Sequence, residues 1–170
     1  MRVIGLAGWS GAGKTTLLVR LLPVLVARGV RVSTLKHAHH RFDVDKPGKD
    51  SWEHRQAGAT QVLVSSEARW ALMTELRGAP EPGLRELLRH LAPVDLVVVE
   101  GFKRDPHPKL EVHRRANEKP WMHPEMPGIV AVASDVPPPY DLPHVHLDAV
   151  DAVAELVLRH AVPLEEPWRS

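Results

Sequence analysis

An α/β fold with a mainly parallel sheet flanked by helices follows from three observations in this 170-residue sequence. Short apolar runs alternate with helix-forming stretches, the order that βα units impose. Residues 8–16 read GWSGAGKTT, which fits G-x-x-x-x-G-K-[ST] and sits between an apolar run and a helical one. A second run, VDLVVVE at 94–100, is β-branched and ends in an acid, the pattern of a strand buried on both faces. Together they predict a three-layer P-loop NTPase fold, with residues 1–170 forming a single domain.

Taken in order, residues 2–7 (RVIGLA) make the first buried strand. Residues 14–28 make a helix that is apolar through Leu17, Leu18, Leu21, Leu22, Leu25 and Val26, so it packs on the sheet. Pro23 has no N–H for the Val19 carbonyl and should kink that helix, and Gly29 suits its C′ position. A second strand at 31–36 leads into a polar stretch, 37–50. A short helix at 51–57 and strands at 59–65 and 70–74 follow. The helical periodicity of 82–91 stops before Pro93, and the acid-terminated strand begins at 94. Residues 103–127 are polar and proline-rich and read as an irregular excursion over the sheet's carboxyl edge. Strands at 110–113, 129–133 and 144–147 precede a last helix at 148–160, for which Asp148 is the expected N-cap.

Composition narrows the function classes. Lys+Arg 22 against Asp+Glu 21 leaves no general polyanion surface, so no nucleic-acid partner is expected. With no cysteine, disulfides, thiolate metal sites and cysteine nucleophiles are all excluded. Arg2 and the glycine loop interrupt any signal-peptide core, and no apolar run reaches the ~18 residues a membrane span needs. A cytoplasmic protein is expected.

The glycine loop carries the chemistry. A polyphosphate requires several backbone N–H groups converging on it, in turns that glycine adopts cheaply. Gly8, Trp9, Ser10, Gly11, Ala12, Gly13, Lys14, Thr15 and Thr16 are therefore the expected nucleotide-binding residues. Lys14 supplies a charge for the outer phosphates and the Thr15 hydroxyl a ligand for Mg²⁺. Glu100, at a strand end and followed by Gly101, is the second expected magnesium-side group and, with Lys14, the expected catalytic pair. Asp45 and Asp50, in the loop after the second strand, are candidates to close over Mg²⁺ and the γ-phosphate, although acids are also ordinary in turns and Asp50 is equally placed to cap a helix.

Further groups are less specific. His37, His39 and His40 follow Lys36 in KHAHH; a transition metal or a phosphate or pterin anion would each suit them. Lys103, Arg104, Lys109, Arg114 and Arg115 follow the Glu100 strand and suit a second anion. Asp135, directly after a late strand, is where a carboxylate would accept from guanine N1–H and its 2-amino group together. A simple turn into the prolines at 137–139 explains the same residue. Trp9 reads as a packing or partner contact.

Seen together, the phosphate loop, Lys36-His37-x-His39-His40, the segment FDVDKPGKDS at 42–51, Gln56-Ala57-Gly58-Ala59, Val99-Glu100-Gly101-Phe102-Lys103 and Lys109-x-Glu111-Val112-x-Arg114 occur in one order. That ordered set resembles the molybdopterin-guanine dinucleotide biosynthesis protein B (MobB) family, across nearly the whole chain. The resemblance implies a GTP-binding adapter with Mg²⁺ and weak GTPase activity, usually a homodimer. It implies action beside the transferase that joins GMP to molybdopterin, among other molybdenum cofactor proteins. Lys36, His37, Lys103, Lys109 and Arg114 are then candidates for molybdopterin or another second anion. From the residues alone, a P-loop small-molecule kinase and a metal-delivery GTPase stay open beside the adapter.

Overall fold

The computed structural model describes residues 1–38 and 42–166. In chain order the elements are β1 (Arg2–Ala7), α1 (Lys14–Ala27), β2 (Val32–Lys36), α2 (Asp50–Gln56), β3 (Gln61–Ser65), β4 (Trp70–Thr74) and α3 (Leu84–Leu88). They continue with β5 (Leu96–Glu100), β6 (Lys109–His113), β7 (Ile129–Ser134), β8 (His144–His146), α4 (Val150–His160) and β9 (Val162–Pro163). Two compact units divide the chain: residues 1–37 with 88–170, and residues 38–87.

The first unit is a parallel sheet in the order β2-β5-β1-β6-β7-β8, with β9 added antiparallel to β1. β6 joins β1 only from Gly5 onward, and β9 pairs with Arg2 and Val3 on the stretch before it. One face is apolar. Ile4, Leu6, Val98 and Leu110 pack there with Leu17, Leu21 and Leu25 of α1 and Val153 and Val157 of α4. Each fully buried leucine of this set contributes about 1.5–3 kcal/mol.

Helix α1 runs through Pro23 and stops as its sequence predicts. Gly29 takes φ 78°, its N–H reaches the Val26 carbonyl, and the Val30 N–H reaches Leu25. That pair of bonds is a Schellman cap. The start of α4 differs from expectation: Ala149 is the N-cap, without a side-chain bond. Asp148 is instead drawn 2.6 Å from Arg20 of α1, an ion pair that outcompetes the local cap.

The second face of the sheet holds the alternate residues Gly5, Ala7, Lys109, Glu111 and His113. The excursion after β5 lies on them, with Met122 and His123 bonded to Glu111 and the Trp121 ring stacked on His113. The His107 ring lies over Gly5, where a Cβ would come within 2.5 Å of its Nε2. Ala7, Met122 and Ile129 form a small apolar cluster with Met126 and Leu142. The excursion thus covers a sheet face as well as an edge, which is why a polar, proline-rich stretch contains buried residues.

In the second unit β3 and β4 form their own two-stranded antiparallel sheet, with Leu63 opposite Leu72 and Ser65 opposite Trp70. The strand at 59–65 therefore does not join the parallel sheet. Arg55 of α2 organises this unit, pairing with Asp43 at 2.8 Å, Asp45 at 3.3 Å and Glu75 at 2.8 Å. A cavity of about 350 Å³ lies between the hairpin and the 44–51 loop, lined by Val44, Asp45, Ser51, Val64, Trp70 and Met73 among others.

Candidate functional site

All parallel strands deliver their carboxyl ends to one edge, so the loops after β1, β5, β6 and β7 meet there, beside the end of β2. The loop after β1 turns through Gly8, Gly11 and Gly13 at φ 152°, 82° and 92°. At Gly8 a Cβ would lie 2.5 Å from the Val112 carbonyl oxygen, so no side chain fits. The first bond into α1 runs from the Leu17 N–H to the Gly13 carbonyl. Among the described residues the N–H groups of Lys14, Thr15 and Thr16 have no backbone partner, as in the first turn of any helix, and they lie at its positive end.

Lys14 lies along this loop. Its Nζ donates to the Gly8 and Trp9 carbonyls, each at 3.0 Å. Burial holds its pKa below the ordinary lysine value, against the attraction of Glu100 and with the repulsion of Lys103 and Lys36. A bound polyanion would reverse that shift, so the site is electrostatically prepared for negative charge.

Thr15 Oγ1 donates to Glu100 Oε1 at 3.1 Å. Glu100 is brought there by the register of β5 on β1 and β2, which also sets Lys36 opposite it, with Nζ 3.8 Å from Oε2. Gly101 follows at φ 104°; a Cβ would be 2.6 Å from that of His37. The His37 ring tilts against Phe102 at 4.9 Å. A hydroxyl and a carboxylate this close suit one hard cation whose other ligands are phosphate oxygens and water. Among the described residues no group of three or more His, Asp and Glu side chains is arranged to hold a metal on its own. His39 and His40 lie outside the described residues.

The excursion supplies the other wall. Trp9 Nε1 donates to the Pro120 carbonyl at 2.7 Å, and Lys103 Nζ sits 5.4 Å from the Trp9 ring centroid. Asn117 Nδ2 donates to the Ser10 carbonyl at 3.1 Å. The Arg114 guanidinium reaches Gly13, lying 3.8 Å from where a Cβ would stand. Asp135, at the end of β7, accepts the Arg115 N–H at 2.8 Å. Asn117 and Pro120 had no signal in the sequence, because Asn117 donates to the Ser10 carbonyl and the Pro120 carbonyl accepts from Trp9, each partner more than a hundred residues away.

Three further candidates have surroundings of their own. Asp45 belongs to the second unit, where Ser51 Oγ, the Lys46 N–H and Arg55 occupy its carboxylate. Asp50 opens α2 in the same unit and is exposed. Lys109 is turned away from the edge. The residue is 1 % exposed, and its ammonium donates to the Asp105, His107 and Pro127 carbonyls, at 2.9 Å and 3.3 Å for the latter two, and so ties the two ends of the excursion together. Burial draws its pKa down to about 8. As a ligand for a second anion it is replaced by this clasp.

Residues 3–135 match the family described as Molybdopterin guanine dinucleotide synthesis protein B. A protein of Escherichia coli named molybdopterin-guanine dinucleotide biosynthesis adapter protein is 44% identical over 159 residues, covering 92% of this chain and 91% of that one. A Haemophilus influenzae protein of the same name is 42% identical over 159 residues, 91% of this chain and 86% of the other. The crystal structure of a MobB homologue from Bacillus stearothermophilus superposes with a TM-score of 0.68 at 26% identity, over 92% of this chain and 95% of that one. With the phosphate loop, the Thr15–Glu100 pair and the sheet order already in place, these likenesses assign the chain to the MobB family.

Proposed function

We propose that this chain is the adapter of molybdopterin guanine dinucleotide biosynthesis for which its relatives are named, and that it works by binding GTP with Mg²⁺ and hydrolysing it slowly. The observation that carries the nucleotide reading is the preformed phosphate loop, with Lys14 laid along it and Thr15 bonded to Glu100. Lys14 and Mg²⁺ would neutralise charge developing on the transferred phosphoryl group. Thr15 and Glu100 are the residues that would hold the ion. The partner is the transferase that joins GMP to molybdopterin, in the cytoplasm; among the described residues no helix is long and apolar enough to cross a membrane.

Asp135 supports guanine over adenine. It stands at the carboxyl end of β7, fixed through Oδ1 by the Arg115 N–H, and it can accept the paired donors that guanine alone presents. Calorimetric titration with GTP and ATP, each with Mg²⁺, tests both readings. GTP should bind at least about tenfold tighter than ATP, and Asp135→Asn should erase most of that preference, since a lost bidentate contact is worth about 1–3 kcal/mol. Equal affinity for both nucleotides in the unmutated chain overturns the guanine reading.

The homodimer is proposed to form through the β3–β4 hairpin. Leu63 and Leu72 face each other across it at 60% and 43% exposure, and Trp70 is 66% exposed. An isolated two-stranded sheet is marginal in water and gains by pairing. Sedimentation should give twice the 18.9 kDa chain mass, and Leu72→Asp should shift it to monomer. A monomeric unmutated protein, or an unaffected variant, refutes the interface.

A further inference from the structure

Arg114 stands out among the basic residues of the excursion. It is half-buried, and among the described residues its guanidinium has no hydrogen bond or ion pair. Half-buried guanidinium groups ordinarily find an anion or carbonyl, because five N–H donors cannot be left unpaired cheaply. Asp148, which feels its charge, is already held by Arg20 at 2.6 Å. The Arg114 Nε and Nη2 instead lie 3.8 Å from the Cβ position of Gly13, beside the end of the phosphate loop.

Its placement is fixed by neighbours rather than by chance. The backbone turns from β6 into a 3-10 turn at Arg115–Asn117. That turn is pinned at both ends: the Arg115 N–H donates to Asp135 Oδ1 at 2.8 Å, and Asn117 Nδ2 donates to the Ser10 carbonyl at 3.1 Å. Arg114 is therefore delivered on a short, anchored segment, the arrangement that limits the entropy lost on binding.

The sheet order says which part of a nucleotide would meet it. β1 lies between β5 and β6, and β7 lies beyond β6. The magnesium-side pair, Thr15 and Glu100, is on the β5 side, and the base-reading Asp135 is at the end of β7. A nucleotide spanning those two points must carry its inner phosphates across the ends of β1 and β6. We propose, on the nucleotide reading above, that the Arg114 guanidinium is a direct ligand of the α- or β-phosphate, in place of a separate second anion.

Inner phosphates are common to GDP and GTP, and this makes the assignment testable. Titrations of Arg114→Ala with GDP and with GTP, each with Mg²⁺, should show both affinities falling by a similar factor, about tenfold to a hundredfold, the range for charge-assisted bonds to phosphate. Arg114→Lys should recover part of the loss as a point charge without the fork, with thermal unfolding close to that of the parent. Should the alanine variant fail to fold, Arg114→Lys and Arg114→Gln carry the comparison. Unchanged affinities, or a loss confined to GTP, overturn the assignment while leaving the nucleotide reading intact. No binding of either nucleotide by the unmutated chain overturns that reading and the Arg114 assignment with it.

Discussion

Replacing Lys14 with alanine is expected to weaken nucleotide binding by a hundredfold or more and to reduce hydrolysis to background. Two effects add. The ammonium lies along the phosphate loop, bridging the Gly8 and Trp9 carbonyls at 3.0 Å each. Bonds from an ammonium to the outer phosphates are worth about 1.5–3 kcal/mol each, and two such bonds already amount to more than two decades of affinity. The same side chain props the loop open, so its loss also relaxes the carbonyls it holds. Folding should survive, because Lys14 begins α1 at its exposed end and contributes nothing to the apolar core. Titration with GTP and Mg²⁺, beside a thermal melt, separates the two. A folded Lys14→Ala protein with parental affinity would refute the phosphate-loop assignment.

How much of this was legible beforehand divides by the range of the interaction. The strands β1, β5 and β7 are contiguous apolar runs, and the loop after β1 is a local motif, so residues near in sequence specify them. Gly29 was likewise readable as a cap because its partners, Val26 and Leu25, are within five residues. Sheet membership is not local: 61–65 has the same apolar composition whether it joins a parallel sheet or pairs with 70–74. The two-residue β9 contains Pro163 and is recognisable only through its pairing with Arg2 and Val3.

Charged residues show the same limit more sharply. Lys109, Glu111 and His113 alternate with Leu110 and Val112, a pattern that reads as a strand with one wet face. The face is dry because the excursion folds over it, and only the fold reveals that Lys109 binds carbonyls. Asp45 reads in the sequence as an acid that could close over Mg²⁺ or simply sit in a turn; that Arg55, ten residues on, pairs with it is visible only in the fold. Arg114 was readable as one cation of a basic set. Its neighbour Gly13, a hundred residues earlier, gives it a specific place.

Replacing Glu111 with alanine should have the largest effect on stability. Its side chain is 1% exposed, on the covered face of β6. Oε1 accepts the Met122 N–H at 2.7 Å, and Oε2 accepts the His123 N–H at 3.2 Å with the Tyr140 hydroxyl at 3.5 Å. Burial, with the carboxylate beside it, holds the Tyr140 pKa above that of an ordinary tyrosine. Without it, two backbone donors are orphaned where water has little access, each costing about 1–3 kcal/mol. The cavity left by the side chain adds to this, so a loss of about 3–5 kcal/mol is expected. For a chain of this size that lowers Tm by roughly 10 °C. Glu111→Gln should cost less, since its amide oxygen still accepts one N–H while its NH₂ opposes the other. Because the Met122 anchor lies two residues from Pro120, whose carbonyl holds Trp9, nucleotide affinity should fall in both variants as well. Denaturant unfolding of the three proteins measures the order. A Glu111→Ala protein within 1 kcal/mol of the parent would show that the carboxylate does not fasten the excursion to the sheet, and that the wall of the nucleotide site stands without it.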